Sequence, residues 1–104
     1  MTDAKTAPLH IVSKSSFANS ALTECLRVCG ECAAIILIED AVNAALANTE
    51  WALQLKSAGH DVFVLREDID ARGLTALIET SFTVVDYAGF VQLCCDHTPI
   101  VSWH

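Results

Sequence analysis

The chain predicts an α/β protein: one domain built on an open, doubly wound, mostly parallel five-stranded sheet. Three observations lead there. The first is Cys32-Ala33-Ala34-Ile35-Ile36-Leu37-Ile38, an unbroken apolar run that stops at two acids, Glu39 and Asp40. A half-solvated strand alternates polar and apolar residues, whereas a strand covered by helices on both faces has no polar side to show. A buried helix is the rival reading, but the run is short for one, Gly30 sits just before it, and its isoleucines favour extended backbone. The second is alternation, because strand-like and helix-like stretches follow one another along the chain in the order that crossover connections require. The third is length, since 104 residues suit one domain.

In order, residues 1–7 read as a loose tail, and Leu9-His10-Ile11-Val12 as the first strand. A polar loop over 13–20 leads to a helix over 21–29, capped by Asn19 or Ser20. This helix carries Leu22, Cys25, Leu26 and Cys29 on one stripe and is closed by Gly30 in a left-handed turn. After the central strand, Asp40 is placed to cap a helix over 41–47. Asn48 or Thr49 then starts another over 50–58, with Lys56 near its negative end and Gly59 as its stop. Residues 61–65 form the third strand, 66–73 a charged loop facing water, and 74–79 a short helix. Residues 82–85 form the fourth strand, Asp86 caps a helix over 87–95, and Pro99 introduces the last strand over 100–103. In open sheets of this kind ligands collect at the carboxyl ends of strands. Those ends are Ser13-Lys14, Glu39-Asp40, Arg66-Glu67-Asp68 and Asp86-Tyr87.

Composition narrows the function. Hydrophobic residues make up 53% of the chain and charged ones 18%, a surplus of apolar side chains for a domain this small. No apolar run reaches the roughly 18 residues of a membrane helix, and the first five residues lack the layout of a signal peptide. A soluble subunit that buries the surplus against partner proteins is the expectation. A net charge of −7 argues against direct grip on a nucleic-acid backbone. Five cysteines without an export signal indicate a reducing compartment, where thiols are packing or chemistry.

Leu9-His10 with Lys14-Ser15, Glu39-Asp40-Ala41-Val42 with Ala44-Ala45, and Ala71-Arg72-Gly73 follow one another along the chain. Val85-Asp86-Tyr87-Ala88-Gly89-Phe90-Val91 and the penultimate Trp103 complete the set. Through these segments the chain resembles the DsrH/TusB family of small sulfur-relay subunits. The resemblance implies a flavodoxin-like sheet and a cytoplasmic heterohexamer with two paralogous DsrE/F-like (TusD/C-like) subunits. It further implies passage of persulfide sulfur to a downstream DsrC/TusE-like carrier. One branch serves sulfur oxidation through reverse-acting dissimilatory sulfite reductase, the other 2-thiolation of tRNA wobble uridine. No cofactor is expected.

Cys25 is the candidate catalytic residue, because Leu22-Thr23-Glu24-Cys25-Leu26 is similar to the place where sulfur-oxidising members carry a cysteine. That likeness favours the oxidising branch. Persulfide transfer needs an attacking thiolate, whereas a mid-helix cysteine gains little from the helix dipole and free cysteines are commonly buried packing. The family's principal sulfur-accepting cysteine belongs to a sister subunit, after its third strand, and the matching stretch 66–73 here has none. An accessory role is therefore the other reading.

Cys29-Gly30-Glu31-Cys32 has C-x-x-C spacing but closes a helix instead of opening one, unlike redox pairs. Zinc shared with Cys94, Cys95 or His97 is excluded if strands two and five are opposite edges of a flavodoxin-like sheet, about 19 Å apart. No metal is expected. Ser13-Lys14-Ser15-Ser16 lies where a phosphate could sit, which raises the alternative of a flavin- or phosphate-binding module; the loop has no glycine for close approach. Glu39-Asp40 could suggest a magnesium-binding carboxylate pair, and an acid capping the next helix is the favoured reading. Among the histidines His10 alone merits mutation, and Trp51, Phe90 and Trp103 read as packing or interface anchors.

Overall fold

The computed structural model describes residues 7–15, 20–30 and 33–103. Five strands form one sheet: β1 Leu9–Val12, β2 Ala34–Leu37, β3 Asp61–Leu65, β4 Thr83–Val85 and β5 Ile100–Trp103. Four helices connect them: α1 Ala21–Val28, α2 Glu50–Ser57, α3 Arg66–Ala71 and α4 Tyr87–Asp96. Every pairing is parallel, and the order across the sheet is β4-β3-β2-β1-β5. The apolar run therefore supplies the middle strand. All four residues of β2 are buried, with Ile35, Ile36 and Leu37 fully so. Each such side chain contributes about 1.5–3 kcal/mol relative to leaving it in water.

The α/β class stands, but the winding differs from the flavodoxin-like order in which the second strand is an edge. Here β4 and β5 are the edges, and β2 and β5 are two strand steps apart, roughly 10 Å. The order also explains the layers. From β1 to β4 the chain steps one strand at a time in one direction, so right-handed crossovers deliver α1, α2 and α3 to the same face. The return from β4 to β5 crosses the whole sheet the other way and delivers α4 to the opposite face.

Side-chain alternation agrees with this layering. Val12, Ile35, Leu37, Val62 and Val64 pack beneath Leu22 and Cys25 of α1, Leu55 of α2 and Ile69 of α3. Leu9, Ala34 and Ile36 face the other way, against Phe90, Leu93 and Cys94 of α4. Among the described residues α4 is the one helix on that face, and none of its own residues is buried; Tyr87 is 63% exposed and Val91 47%.

Several local expectations need correction. Ser20 precedes α1 without a side-chain cap, and Asn19 lies outside the described residues. Asp40 does not cap a helix over 41–47, because residues Glu39–Ala45 wind as a 3₁₀ segment and the Asp40 carboxylate turns to Arg72. The small buried side chains Ala41, Ala44 and Ala45 allow this tight segment to lie close on the sheet. The charged loop over 66–73 is instead α3 up to Ala71. Its acids Glu67 and Asp68 stand at the positive end of the helix and its single buried residue, Ile69, is fully buried. The helix over 74–79 shrinks to a 3₁₀ turn, Thr75–Leu77, followed by an antiparallel bridge between Leu46 and Ile78.

Other signals hold: Gly30 and Gly59 take positive φ after their helices, Thr49 Oγ1 accepts from the Ala52 N–H, and Asp86 Oδ1 accepts from the Gly89 N–H at 2.8 Å. Most of the tail lies outside the described residues; its last residue, Ala7, accepts a hydrogen bond from Thr98.

The two layers differ in what a truncation costs. Ile36→Ala, in the middle strand, should destabilise the chain by about 2–5 kcal/mol in denaturant unfolding. Val91→Ala, on the outer side of α4, should stay within about 0.5 kcal/mol.

Candidate functional site

The described thiols lie on both faces of the sheet. Cys25 lies on the inner stripe of α1 and Cys29 one turn on, at its C-terminal cap; Cys94 and Cys95 lie at the end of α4. Cys25 is fully buried in the larger core cluster. Burial pushes its thiol up to about 12, and Cys29 beside it adds to the shift. At neutral pH roughly one molecule in 10⁵ then carries the thiolate that attacks a donor sulfur. Cys29 is half-buried and is also raised, by burial, against the opposing effect of its hydrogen bond with Cys25. Cys94 packs on the opposite face with its thiol raised by burial, while Cys95 is exposed.

The expected edge-to-edge separation of the cysteines does not occur, since β2 and β5 are not opposite edges. What stands between the Cys25–Cys29 pair and Cys94 is the sheet itself. Among the described residues no three His, Cys, Asp or Glu side chains are grouped to hold a metal ion. Cys32, and with it the C-x-x-C spacing, lies outside the described residues, as does Ser16 of the serine-rich loop.

The carboxyl edge of the sheet has a switch between β3 and β4, where one strand leads to a helix on one face and its neighbour to a helix on the other. Acids collect there, and the chain uses them itself. Asp68 Oδ2 accepts from the Glu39 N–H at 2.6 Å, where Glu39 takes a positive φ of 49°. Arg72 pairs with Asp40 at 3.0 Å and with Asp68 at 3.7 Å. Glu67 accepts from the Tyr87 N–H at 3.1 Å, so α3 helps to cap α4. These contacts tie the strand ends together and satisfy backbone donors. Ala71-Arg72-Gly73 and Glu39-Asp40, two of the segments that carry the resemblance, thus meet through one guanidinium.

His10 and Trp103 form a second junction. The Trp103 Nε1–H donates to His10 Nδ1 at 3.1 Å, and the rings stack with centroids 6.1 Å apart. Burial, and then His60, hold the His10 imidazole below its ordinary pKa. His60 accepts from the Ala33 N–H at 3.0 Å and so secures the approach to β2. In the sequence His10 stands out as a residue to mutate and Trp103 as an anchor, with nothing that pairs them. They lie 93 positions apart, and only the adjacency of β1 and β5 joins them. A groove of about 430 Å³ beside α2, lined by Asn48, Thr49, Leu53, Lys56 and Glu79 among others, is bridged by the Lys56–Glu79 pair and contains no cysteine.

The fold and the sequence both have known counterparts. The crystal structure of the ychN protein from E. coli superposes with a TM-score of 0.79 at 14% identity, covering 93% of this chain and 98% of that one; this is a likeness of fold. Protein TusB of Pectobacterium parmentieri is 36% identical over 95 residues, and that of Enterobacter sp. (strain 638) 37%, each match covering 91% of this chain and 99% of the relative. Protein TusB of Escherichia coli (strain K12) is 32% identical over the same share of both chains. The family described as DsrH like protein matches residues 14–100. With that span matched and relatives aligned along nearly their whole length, the chain belongs to the DsrH/TusB family of sulfur-relay subunits.

Proposed function

We propose that this chain is a subunit of a cytoplasmic heterohexameric sulfurtransferase complex that relays persulfide sulfur between carrier proteins. Its partners are two paralogous subunits of the DsrE/F or TusD/C kind, and the acceptor is a downstream DsrC/TusE-like carrier. The observation that carries the reading is the lopsided covering of the sheet. Among the described residues three helices bury one face, while the other has one, α4, on which Tyr87 and Val91 remain exposed and residues 87–95 carry no charge. A surface of that composition is stabilised by a partner that removes it from water. We assign it to the sister subunits.

The burial and raised pKa of Cys25 favour an accessory role over that of principal sulfur carrier. Loading of Cys25 requires α1 to lift or a neighbouring subunit to open the path. The TusB relatives weigh for tRNA wobble-uridine thiolation, and Cys25 weighs for sulfur oxidation through reverse-acting dissimilatory sulfite reductase.

Co-expression with the two paralogous subunits should yield one complex on size-exclusion chromatography, whereas Val91→Glu should leave the chain folded by circular dichroism and exclude it from that complex. A complex that forms equally well with this variant removes α4 from the interface. In the isolated chain at neutral pH, iodoacetamide should alkylate Cys95 and spare Cys25 until denaturant is added, as read by peptide mass spectrometry. After exposure of the complex to a persulfide donor, intact mass should show this subunit gaining little sulfur. A full sulfur atom, lost in Cys25→Ser, would instead make Cys25 a carrier.

A further inference from the structure

β5 is an edge strand, hydrogen-bonded on one side to β1, and Ile100 and Ser102 along it are exposed. Edge strands joined by one short ladder are the first to fray. The ladder register sets Trp103 opposite Val12, yet its indole reaches back two residues to the imidazole of His10. His10 and Val12 point to the same face by strand alternation, so this reach stays on the side covered by α1.

An indole N–H can only donate, so Nδ1 of His10 must be the unprotonated nitrogen and Nε2 must carry the hydrogen. Among the described residues Nε2 has no acceptor, and His10 is 5% exposed. A second proton would set two N–H groups against each other and place a charge in the core.

Among the described residues the surroundings offer that charge little relief. β2 presents Ile35 beside His10, and β5 presents Val101 together with Trp103. The inner stripe of α1 brings Leu22, Cys25, Leu26 and Cys29, whose thiols burial keeps neutral. Glu24 and Arg27, on the outer side of α1, pair with each other at 3.7 Å. His60, from the turn before β3, repels a charge on His10.

We propose that the His10–Trp103 pair is a proton-operated latch for the C-terminal strand, closed while the imidazole is neutral and released when it takes a proton. The sign follows from linkage. The folded chain holds the His10 proton less tightly than the unfolded chain, whose histidine titrates near 6.5. The stability contributed by the neutral ring is therefore complete above that value. It is lost progressively as pH falls from about 6.5 through the folded pKa. In that window β5 should loosen from β1 before the middle of the sheet opens.

Long-range ¹H–¹⁵N spectra of the histidine rings should show His10 protonated at Nε2 and titrating below 6.5. The Trp103 indole N–H resonance, distinguished from that of Trp51 by Trp51→Phe, should move with the same midpoint. Protection of the amides in residues 100–103 against exchange, relative to their intrinsic rates, should fall across it while that of β2 does not. Trp103→Phe removes the donor that favours the neutral ring, so the His10 midpoint should rise by roughly 0.5–1 on the pH scale. Should that variant fail to fold, the Trp103 resonance of the parent chain decides. An indole signal that stays put while His10 titrates, or a His10 midpoint unchanged in Trp103→Phe, overturns the latch.

Discussion

A parallel strand cannot turn directly into its neighbour. It is reached by a crossover, and crossovers are right-handed, so the order of strands decides which face each helix covers. In β4-β3-β2-β1-β5 three crossovers run one way and the fourth runs back. The thick layer of α1, α2 and α3 on one side and the thin layer of α4 on the other both follow from that single reversal. β2 can be apolar throughout because it lies in the middle and is covered from both sides.

The same reversal sorts the chemistry. Thiols from neighbouring stretches of sequence end on one face, and those of α4 are sent to the other. Cys25 becomes part of the packing that holds α1 down, with its ionisation suppressed by the burial that makes it useful there. The acids at the carboxyl edge are drawn to backbone N–H groups and to Arg72, which fastens α3 to the 3₁₀ segment. A place where open sheets bind ligands is occupied here by the chain's own side chains. Exposed apolar side chains remain elsewhere, Tyr87 and Val91 among them on α4.

Much of the fold was readable because its signals are local. The run at 32–38 needs no partner to be recognised as a covered strand, and Gly30, Gly59, Thr49 and Asp86 mark helix ends through their own backbone geometry or hydrogen bonds. Segment 66–73 misled because its charges suggest a solvated loop. Its one buried anchor, Ile69, is too sparse a pattern for helical periodicity to register. Glu39–Ala45 misled for a related reason: rows of alanine suit an ordinary helix, and only the closeness of the sheet makes the tighter winding favourable.

The sequence by itself determined the α/β class, all five strands, the apolar surplus and the family, because strand periodicity, turn chemistry and composition are properties of neighbouring residues. Tertiary structure alone decided the strand order and everything that depends on residues far apart in the chain. It brought Trp103 to His10, Arg72 to Asp40 and Glu67 to the start of α4, and it put the sheet between Cys25 and Cys94. A hydrogen bond across 93 residues leaves no periodic trace in sequence; it exists because β5 returns to pair with β1.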